Sequence, residues 1–327
     1  MSENYYKGEK LKTLEESKQY NVDPYLPSDK LVQSVKLAQI LQRPLLVKGE
    51  PGCGKSRLAE AVAIELFGKE YRNNFFKWNV KSTSKAQDGL YSINNLQRLS
   101  DANIRSNGQR GEINLEINLP PDEHGHYKAV GNYIKLGVLG QAFVHSWKKD
   151  IAIPPVVLID EVDKADIDFP NDLLMELDNL AFQIPEIIGE SGSPIEITAN
   201  PNNKPLIIIT SNDEKPLPAA FLRRCLFHYI DFKEINLNAI ISARFPKFVQ
   251  HDKVSRIIEL FAGWRKKIKE ESTSRKNITT GELLDWLRIV QHDWVEGSQP
   301  VFEDSNRPVH MDTLLKDEES LRAFMNN

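Results

Sequence analysis

The feature that most constrains the fold is a glycine-rich segment between a short apolar run and an amphipathic helix. The apolar run is 45–47, and Leu58, Val62 and Leu66 mark one face of the helix that follows. The segment between them reads Gly49, Glu50, Pro51, Gly52, Cys53, Gly54, Lys55 and Ser56. Its glycines let backbone N–H groups close around an anion, and the helix start adds the positive end of its dipole. The order strand, loop and helix therefore predicts a phosphate loop.

Two side chains of this loop have the chemistry to bind phosphate and a cation. We expect Lys55 to neutralise phosphate charge and Ser56 to supply a hydroxyl to magnesium. Cys53 is expected to fill space in the loop. The alternative for Cys53 is a thiol whose pKa is lowered by the helix N-terminus, which would favour its oxidation.

Further apolar segments have the length and composition of buried strands. They cover residues 75–80, 156–160, 206–211 and 227–232. Helical patterns separate them, which predicts an α/β fold with a parallel sheet covered by helices on both faces. The stretch 81–155 exceeds the roughly 30 residues of a strand–helix–strand unit, so we expect an insert there, with alternating segments at 111–118 and 134–138. A second interruption, at 189–204, predicts another short hairpin.

The chain divides by pattern into three consecutive parts. Residues 1–24 form a polar extension, and residues 25–233 form the α/β domain with its insert at about 90–150. From 234 to 327 the apolar residues recur at helical spacing, which predicts a smaller all-helical domain.

One basic stretch in the helical part has two interpretations. Arg265, Lys266, Lys267 and Lys269 follow Trp264. We favour a solvated helix face beside an apolar anchor over a contact surface for nucleic acid.

Acidic and amide residues follow two of the predicted strands, at the edge where a sheet of this kind presents its ligand site. Asp160 and Glu161 end one strand, and Asn212 ends the next. We expect Asp160 to hold magnesium through water and Glu161 to orient and deprotonate an attacking water. Asn212 would hydrogen-bond that water or the terminal phosphate. The alternatives are a solvated turn or helix start for the acids and a turn-forming asparagine.

Two arginines close the short helical stretch before the fifth strand. Arg223 or Arg224 could act from a neighbouring subunit on the charge that develops during phosphoryl transfer, and Arg224, nearer the strand, is slightly preferred. The alternative is that both are surface charges that interact with the end of the helix dipole.

These segments together resemble the AAA+ ATPases. They are the phosphate loop, the Leu-Ile-Asp-Glu strand end, the strand that ends in Asn212, and Pro216-Leu217-Pro218-Ala219-Ala220-Phe221-Leu222-Arg223-Arg224. The long insert, the Pro-Leu-Pro segment and the helical lid look like the MoxR branch, over about residues 20–295. Residues 160–165 depart from the branch's common Asp-Glu-Ile-Asn-Arg form.

The resemblance implies a P-loop NTPase sheet in the order 5-1-4-3-2 with a smaller helical lid. It also implies ATP and Mg²⁺ as cofactors and a homo-oligomeric ring, expected to be a hexamer, with ATP between subunits. The implied function is remodelling of a client protein, and relatives often work with a protein that carries a von Willebrand A domain. The alternatives are an NTPase subunit that powers a separate nuclease on nucleic acid, and a nucleotide-dependent switch that barely hydrolyses ATP.

The lid departs from the resemblance at one position. Gly281 stands where many such lids begin a helix with an arginine that touches the nucleotide. Either Arg275 or Lys276 substitutes from the preceding loop, or the lid does not report on the terminal phosphate.

Charge and apolar patterning restrict the compartment and the partners. Lys and Arg number 42 and Asp and Glu 46, a net charge of −4, so the chain as a whole does not attract nucleic acid or anionic membrane. The apolar run 151–159 is about half a membrane span and contains Pro154 and Pro155, and residues 1–24 carry no apolar block. With two cysteines far apart, we expect a cytoplasmic protein without a structural disulfide.

Two weaker candidates lie in or beside the insert. Tyr91 either lines a central pore or packs in the core. His124 and His126 could bind a metal, but no cysteine is near them in the sequence, and we expect them to lie in a polar loop.

Overall fold

The computed structural model describes residues 5–94, 134–148, 153–188, 192–246, 254–271, 277–295, 302–304, 307–316 and 318. These residues form two compact units. The first comprises the described residues within 1–7, 30–48 and 62–229, and the second those within 8–29, 49–61 and 230–327. The units are interleaved along the chain, whereas the sequence pattern divides the chain into consecutive parts.

Helices and strands alternate over most of the described chain. The helices are α1 (Leu14–Lys18), α2 (Asp29–Leu41), α3 (Lys55–Phe67), α4 (Tyr71–Asn74), α5 (Ala86–Leu90), α6 (Val138–His145), α7 (Phe169–Asp172), α8 (Leu174–Asn179), α9 (Ala219–Arg224), α10 (Leu237–Arg244), α11 (Val254–Glu271), α12 (Thr280–Val295) and α13 (Met311–Leu314). The strands are β1 (Leu45–Gly49), β2 (Phe75–Asn79), β3 (Tyr91–Ile93), β4 (Ile134–Leu136), β5 (Val156–Asp160), β6 (Ala181–Ile188), β7 (Pro194–Thr198), β8 (Leu206–Ser211), β9 (Leu226–Ile230), β10 (Phe302–Asp304) and β11 (Arg307–Pro308).

Five strands form the central sheet in the order β2-β5-β8-β1-β9. Numbered one to five along the chain, this is the predicted order 5-1-4-3-2. Parallel pairing places Val157 opposite Ile207 and Leu45 opposite Ile208. All residues of β5 and β8 are buried, as expected for strands in the middle of a sheet that is covered on both faces. The predicted α/β architecture is confirmed.

Two antiparallel strand pairs accompany the parallel sheet, close to where the sequence predicts excursions. β3 pairs with β4, and β6 pairs with β7. The alternation at 134–138 was interpreted as strand throughout, but β4 ends at Leu136 and α6 begins at Val138. The partner of β7 is β6, which the sequence pattern did not indicate. The segment 111–118 and His124 and His126 lie outside the described residues.

Tyr91 packs in the core of the first unit. It is 5% exposed, and its ring stacks on Phe182 with centroids 6.0 Å apart. Its hydroxyl donates a hydrogen bond to Glu186 at 2.8 Å, and burial raises the pKa of Tyr91 to about 12. The core interpretation therefore describes this residue, and the pore interpretation does not.

The second unit has its own apolar core, which α10, α11, α12 and α13 build. Trp264 and Trp286 meet edge to face there, with centroids 5.8 Å apart. The region is mainly helical, as predicted, and contains in addition the short antiparallel pair β10–β11. Among the residues that the structure describes, no helix combines the length and the apolar character that crossing a bilayer requires.

The N-terminal segment is packed into this unit. Leu11 is completely buried, and the Asp23 carboxylate pairs with Arg244 at 3.0 Å and Arg288 at 3.4 Å. The carbonyl oxygen of Asp23 accepts a hydrogen bond from Arg57 at 2.7 Å. Asp23 thus connects the N-terminal segment to α3, α10 and α12.

A buried histidine joins α6 to the first unit's edge strand. The His145 ring is 6% exposed, lies 2.8 Å from the Asn74 side-chain oxygen through Nε2, and meets Phe76 edge to face. Burial, and to a smaller extent the charge of Lys148, lowers the pKa of His145 to about 4. The ring is therefore neutral in the folded protein at pH 5, where a histidine in the unfolded chain is largely charged.

The buried His145 predicts a loss of stability in weak acid. Between pH 6.5 and 4 the unfolded chain binds a proton that the folded protein does not, so the free energy of unfolding falls as the pH falls. From pH 7 to 5 we expect a loss of about 2 kcal/mol from this group. Urea unfolding at both pH values should show that His145→Gln removes that part of the loss. The exposed His292→Gln serves as the control, and an equal change in both variants would contradict the prediction.

Candidate functional site

The phosphate-loop motif has the backbone that its glycines predict. Gly52 and Gly54 have φ angles of +72° and +93°, in the region that side chains rarely adopt. A Cβ atom on Gly52 would lie 2.8 Å from Thr279 Oγ1, at the N-terminus of α12. Glycine is thus required at Gly52 both for its backbone conformation and for the close approach of the lid.

Lys55 lies inside the loop. It is 6% exposed, and its Nζ donates to the carbonyl oxygens of Gly49 and Glu50, both at 2.8 Å. These bonds hold the ammonium group within the curve of the loop, at the first residue of α3. The placement is the one expected of a lysine that neutralises phosphate.

Cys53 is not an activated thiol in this loop. Burial raises the pKa of Cys53, which outweighs the opposite effect of Lys55. The Sγ atom lies 2.9 Å from where a Cβ on Gly49 would stand, so the side chain occupies the space beside that glycine. The space-filling interpretation fits this geometry.

Arg265 is placed quite differently from the sequence interpretation, which assigned it to a solvated helix face. It is 8% exposed, and its guanidinium pairs with the Glu50 carboxylate at 2.7 Å. It also donates to the carbonyl oxygen of Ile278 and lies 3.8 Å above the Phe232 ring. The correction has a physical reason: an arginine can be buried when a carboxylate, a carbonyl and an aromatic face together replace its water. Arg265 therefore does not belong to an exposed basic face of the helix, whereas Lys266 does.

In the first unit, Asp160 ends β5 and is held by two neighbouring strands. It is 7% exposed, and its Oδ1 accepts a 2.7 Å hydrogen bond from the hydroxyl of Thr210 on β8. Its Oδ2 lies 3.2 Å from the ammonium group of Lys77 on β2. These two contacts fix the orientation of the carboxylate at the C-terminal edge of the sheet.

Glu161 leaves the strand in a left-handed backbone conformation, with φ 60° and ψ 53°. Its N–H donates to Thr210 Oγ1 at 2.8 Å, which secures this uncommon geometry. Asn212 donates to Glu161 Oε1 at 3.1 Å, and Lys164 pairs with Oε2 at 2.5 Å. The hydrogen bond to Glu161 raises the pKa of Lys164. The structure thus brings together the three predicted polar residues that end β5 and β8.

Thr210, Lys77 and Lys164 were missed in the sequence. Thr210 was counted as part of an apolar strand, and the signal that could have found it is its hydroxyl close to the polar end of β8. Lys77 lies on β2, where the parallel register sets Asn79 opposite Asp160. Their importance depends on which strands are neighbours, and the sequence alone does not display that.

The two arginines of α9 have different surroundings. Arg224 pairs with Asp178 and donates to the carbonyl oxygen of Ala220 at 3.1 Å. Arg223 is exposed, and its side chain has no hydrogen bond or ion pair with another described residue. Arg43 donates to the backbone carbonyl oxygens of both arginines and so fixes the end of α9.

The lid helix α12 approaches the phosphate loop through its first turn. Thr279 caps the helix by accepting from the N–H of Glu282 at 3.3 Å, while the Glu282 carboxylate accepts from the N–H of Thr279 at 2.8 Å. A Cβ on Gly281 would meet the Gly52 Cα at 3.6 Å, an ordinary contact. Arg275 and Lys276, the sequence candidates for a lid cation, lie outside the described residues.

Each unit carries an oxygen donor of the kind that magnesium prefers, the Asp160 carboxylate in the first and the Ser56 hydroxyl in the second. A hydroxyl and a carboxylate are hard oxygen ligands, and carboxylate oxygens can each accept more than one partner. The bonds from Thr210 and Lys77 to Asp160 are therefore compatible with a further role toward a cation or its water.

Comparison with known proteins identifies the family. Residues 45–234 match the family described as AAA, the ATPase family associated with various cellular activities. A crystal structure from Cytophaga hutchinsonii, described as a "putative ATPase", is 13% identical, with a TM-score of 0.32 over 85% of this chain and 76% of that chain. No curated protein matches the sequence.

The contacts of Thr210 predict a specific failure when its hydroxyl is removed. Thr210→Val keeps the shape but removes the hydrogen bonds of the hydroxyl with Asp160 and with the Glu161 N–H, which should cost about 1–3 kcal/mol of unfolding free energy. ATP turnover should fall with it, because Glu161 loses its anchor. Thr210→Ser keeps the hydroxyl and should retain most turnover. Urea unfolding and steady-state hydrolysis measure both effects, and equal behaviour of the two variants would contradict the assigned role.

Proposed function

The chain belongs to the AAA family of ATPases, and from this premise we propose that it is a ring-forming ATPase of the MoxR type that uses ATP hydrolysis to remodel a client protein. The hydrolytic part depends chiefly on one observation, the Glu161 carboxylate held between Asn212 and Lys164 beside the buried Asp160. A carboxylate anchored in this way can accept a proton from water without first having to be ordered.

We assign the chemical roles as follows. Lys55 neutralises the charge of the terminal phosphates of ATP, and the N–H groups of the loop cradle them. Glu161 orients the attacking water and takes its proton. Asn212 keeps the Glu161 carboxylate in place. Asp160 and Ser56 would hold Mg²⁺, which when bound neutralises phosphate oxygens.

The MoxR assignment is supported by the hairpins of the first unit. The β3–β4 pair flanks the insert after β2, and the β6–β7 pair precedes β8. Both positions agree with the resemblance seen in the sequence. A client protein and a partner with a von Willebrand A domain are proposed from that resemblance alone. Binding of such a partner to an ATP-loaded Glu161→Gln variant would test this part of the proposal.

The ring is supported by two surfaces of the first unit. Arg223 projects from the end of α9 without a described partner, whereas Arg224 is occupied by Asp178. The edge strand β9 exposes Phe227 and Tyr229 by 58% and 48%. We therefore propose that Arg223, rather than Arg224, is the arginine that acts on ATP bound to the neighbouring subunit.

Loss of the phosphate-binding residue Lys55 and loss of the proposed base Glu161 should have different effects. Lys55→Ala should lose most nucleotide affinity, because the ammonium group that neutralises phosphate is gone. Glu161→Gln should still bind ATP, but its turnover should fall by ~100-fold or more, because the amide cannot accept the proton. Nucleotide titration and steady-state hydrolysis separate the two effects. Normal turnover in Glu161→Gln would remove the proposed base.

The arginine assignment predicts complementation between subunits. Arg223→Ala and Glu161→Gln should each be nearly inactive alone, yet a mixture should recover part of the hydrolysis. Mixed interfaces then pair an intact Glu161 with an intact Arg223. Arg224→Ala is the matched control, and we expect it to affect the Asp178 contact without being rescued in this way.

The outcomes of this mixing experiment are distinct. Rescue of Arg224→Ala but not of Arg223→Ala would reverse the assignment. Full activity of both arginine variants alone would exclude a role across subunits. Static light scattering should also show larger particles with a non-hydrolysable ATP analogue, since the bound nucleotide would bridge two subunits.

A further inference from the structure

Arg265 is a cation of the second unit that lies against the phosphate loop. Its guanidinium is surrounded by the Glu50 carboxylate, the Ile278 carbonyl and the Phe232 ring, and its side chain is only 10% exposed. These three partners belong to the loop, to the residues before α12 and to the segment that leads to α10. Arg265 itself lies on α11, so one side chain connects the lid helices to the loop.

Removing the Arg265 charge from water costs free energy, and the two partners of the ion pair differ in their exposure. The Glu50 side chain is 41% exposed and would be well hydrated without Arg265, whereas the arginine depends on its partners to replace water. An ion pair in which the carboxylate is this exposed contributes little to the free energy of unfolding. The arrangement is better explained by what it does to the loop than by its contribution to folding.

Glu50 contacts two cationic side chains, Lys55 and Arg265. Its carbonyl oxygen accepts from Lys55 Nζ at 2.8 Å, and its carboxylate accepts from Arg265 at 2.7 Å. When a phosphate binds, Lys55 must exchange its carbonyl partners for phosphate oxygens. During that exchange Glu50 keeps its carboxylate contact with Arg265 and the hydrogen bond that its carbonyl oxygen accepts from the N–H of Cys53 at 3.4 Å.

We infer that Arg265 is a positioning residue for nucleotide binding: through Glu50 it holds the phosphate loop in its binding conformation. Within the described part of the lid, Arg265 makes a charged contact with the loop, while Gly281 provides close packing. The inference rests on the proposed function, because it assumes that the loop binds the phosphates of ATP.

Positioning differs measurably from direct contact with the nucleotide. If the loop is no longer held in its binding conformation, the affinities for ATP and for ADP fall by the same factor, since both nucleotides bind to this loop. A cation that touches the terminal phosphate weakens ATP alone. The ratio of the two dissociation constants therefore separates the two roles.

The experiment is a double-mutant cycle on the full chain. Glu50→Gln, Arg265→Gln and the double variant are compared with the parent by titration with ATP and with ADP. We expect each single substitution to raise the dissociation constants for ATP and for ADP by about tenfold, so that their ratio stays unchanged. In steady-state hydrolysis, KM should rise by a larger factor than kcat falls. The double variant should be no weaker than the singles, because each removes the same contact.

Lys266→Gln is the matched control. It lies next to Arg265 on α11, is 77% exposed and should bind both nucleotides as the parent does. If Arg265→Gln does not fold, Glu50→Gln alone still decides, because its carboxylate is partly exposed and its loss leaves the core intact.

Three results would overturn the inference. They are unchanged affinities in Glu50→Gln, additive losses in the double variant, and a loss confined to ATP. Failure of the proposed function is a separate result: it would appear as a parent protein without ATP hydrolysis, or as a Lys55→Ala variant that binds ATP normally.

Discussion

The hydrogen bond from Thr210 to Asp160 joins the two central strands at the point where both leave the apolar core. β5 and β8 are buried along their whole length, so a polar group at their ends must find partners within the protein. The Thr210 hydroxyl meets two such demands, because it donates to Asp160 and accepts from the N–H of Glu161. The left-handed turn at Glu161 is secured by the same atom. The acid pair therefore depends on a side chain that performs no chemistry itself.

In the second unit, arginine side chains make the hydrogen bonds and ion pairs that connect separate segments of the chain. The Asp23 carboxylate pairs with Arg244 and Arg288, and the Asp23 carbonyl oxygen accepts a hydrogen bond from Arg57. Asp23 thereby connects the N-terminal segment to three helices. Arg265 and Glu50 make a further pair at the phosphate loop. Guanidinium groups suit these positions because a planar fork of donors can satisfy several acceptors at once. Charge and packing thus shape the same unit that contains the loop glycines.

The sequence predicted those parts of the molecule that depend on local pattern. The strands β5 and β8 were predicted with the observed bounds, because a fully buried strand is a continuous apolar run. The helix after the glycine-rich loop was predicted from the spacing of Leu58, Val62 and Leu66, and α3 is that helix. The errors came where local pattern is ambiguous: Val138 continues an alternation yet begins α6, and β6 has no pattern that sets it apart from a helix.

The sequence by itself determined the α/β class, the phosphate loop and the identity of the acidic and amide residues that end β5 and β8, because spacing along the chain encodes them. The tertiary structure decided the partners: Thr210 and Lys77 for Asp160, Lys164 for Glu161, and Glu50 for Arg265. The Arg265–Glu50 pair joins residues far apart in sequence, and the character of each depends on burial. A stretch such as Arg265 to Lys269 reads as exposed from composition alone. Only the fold shows that one of its charges has exchanged water for a carboxylate, a carbonyl and an aromatic ring.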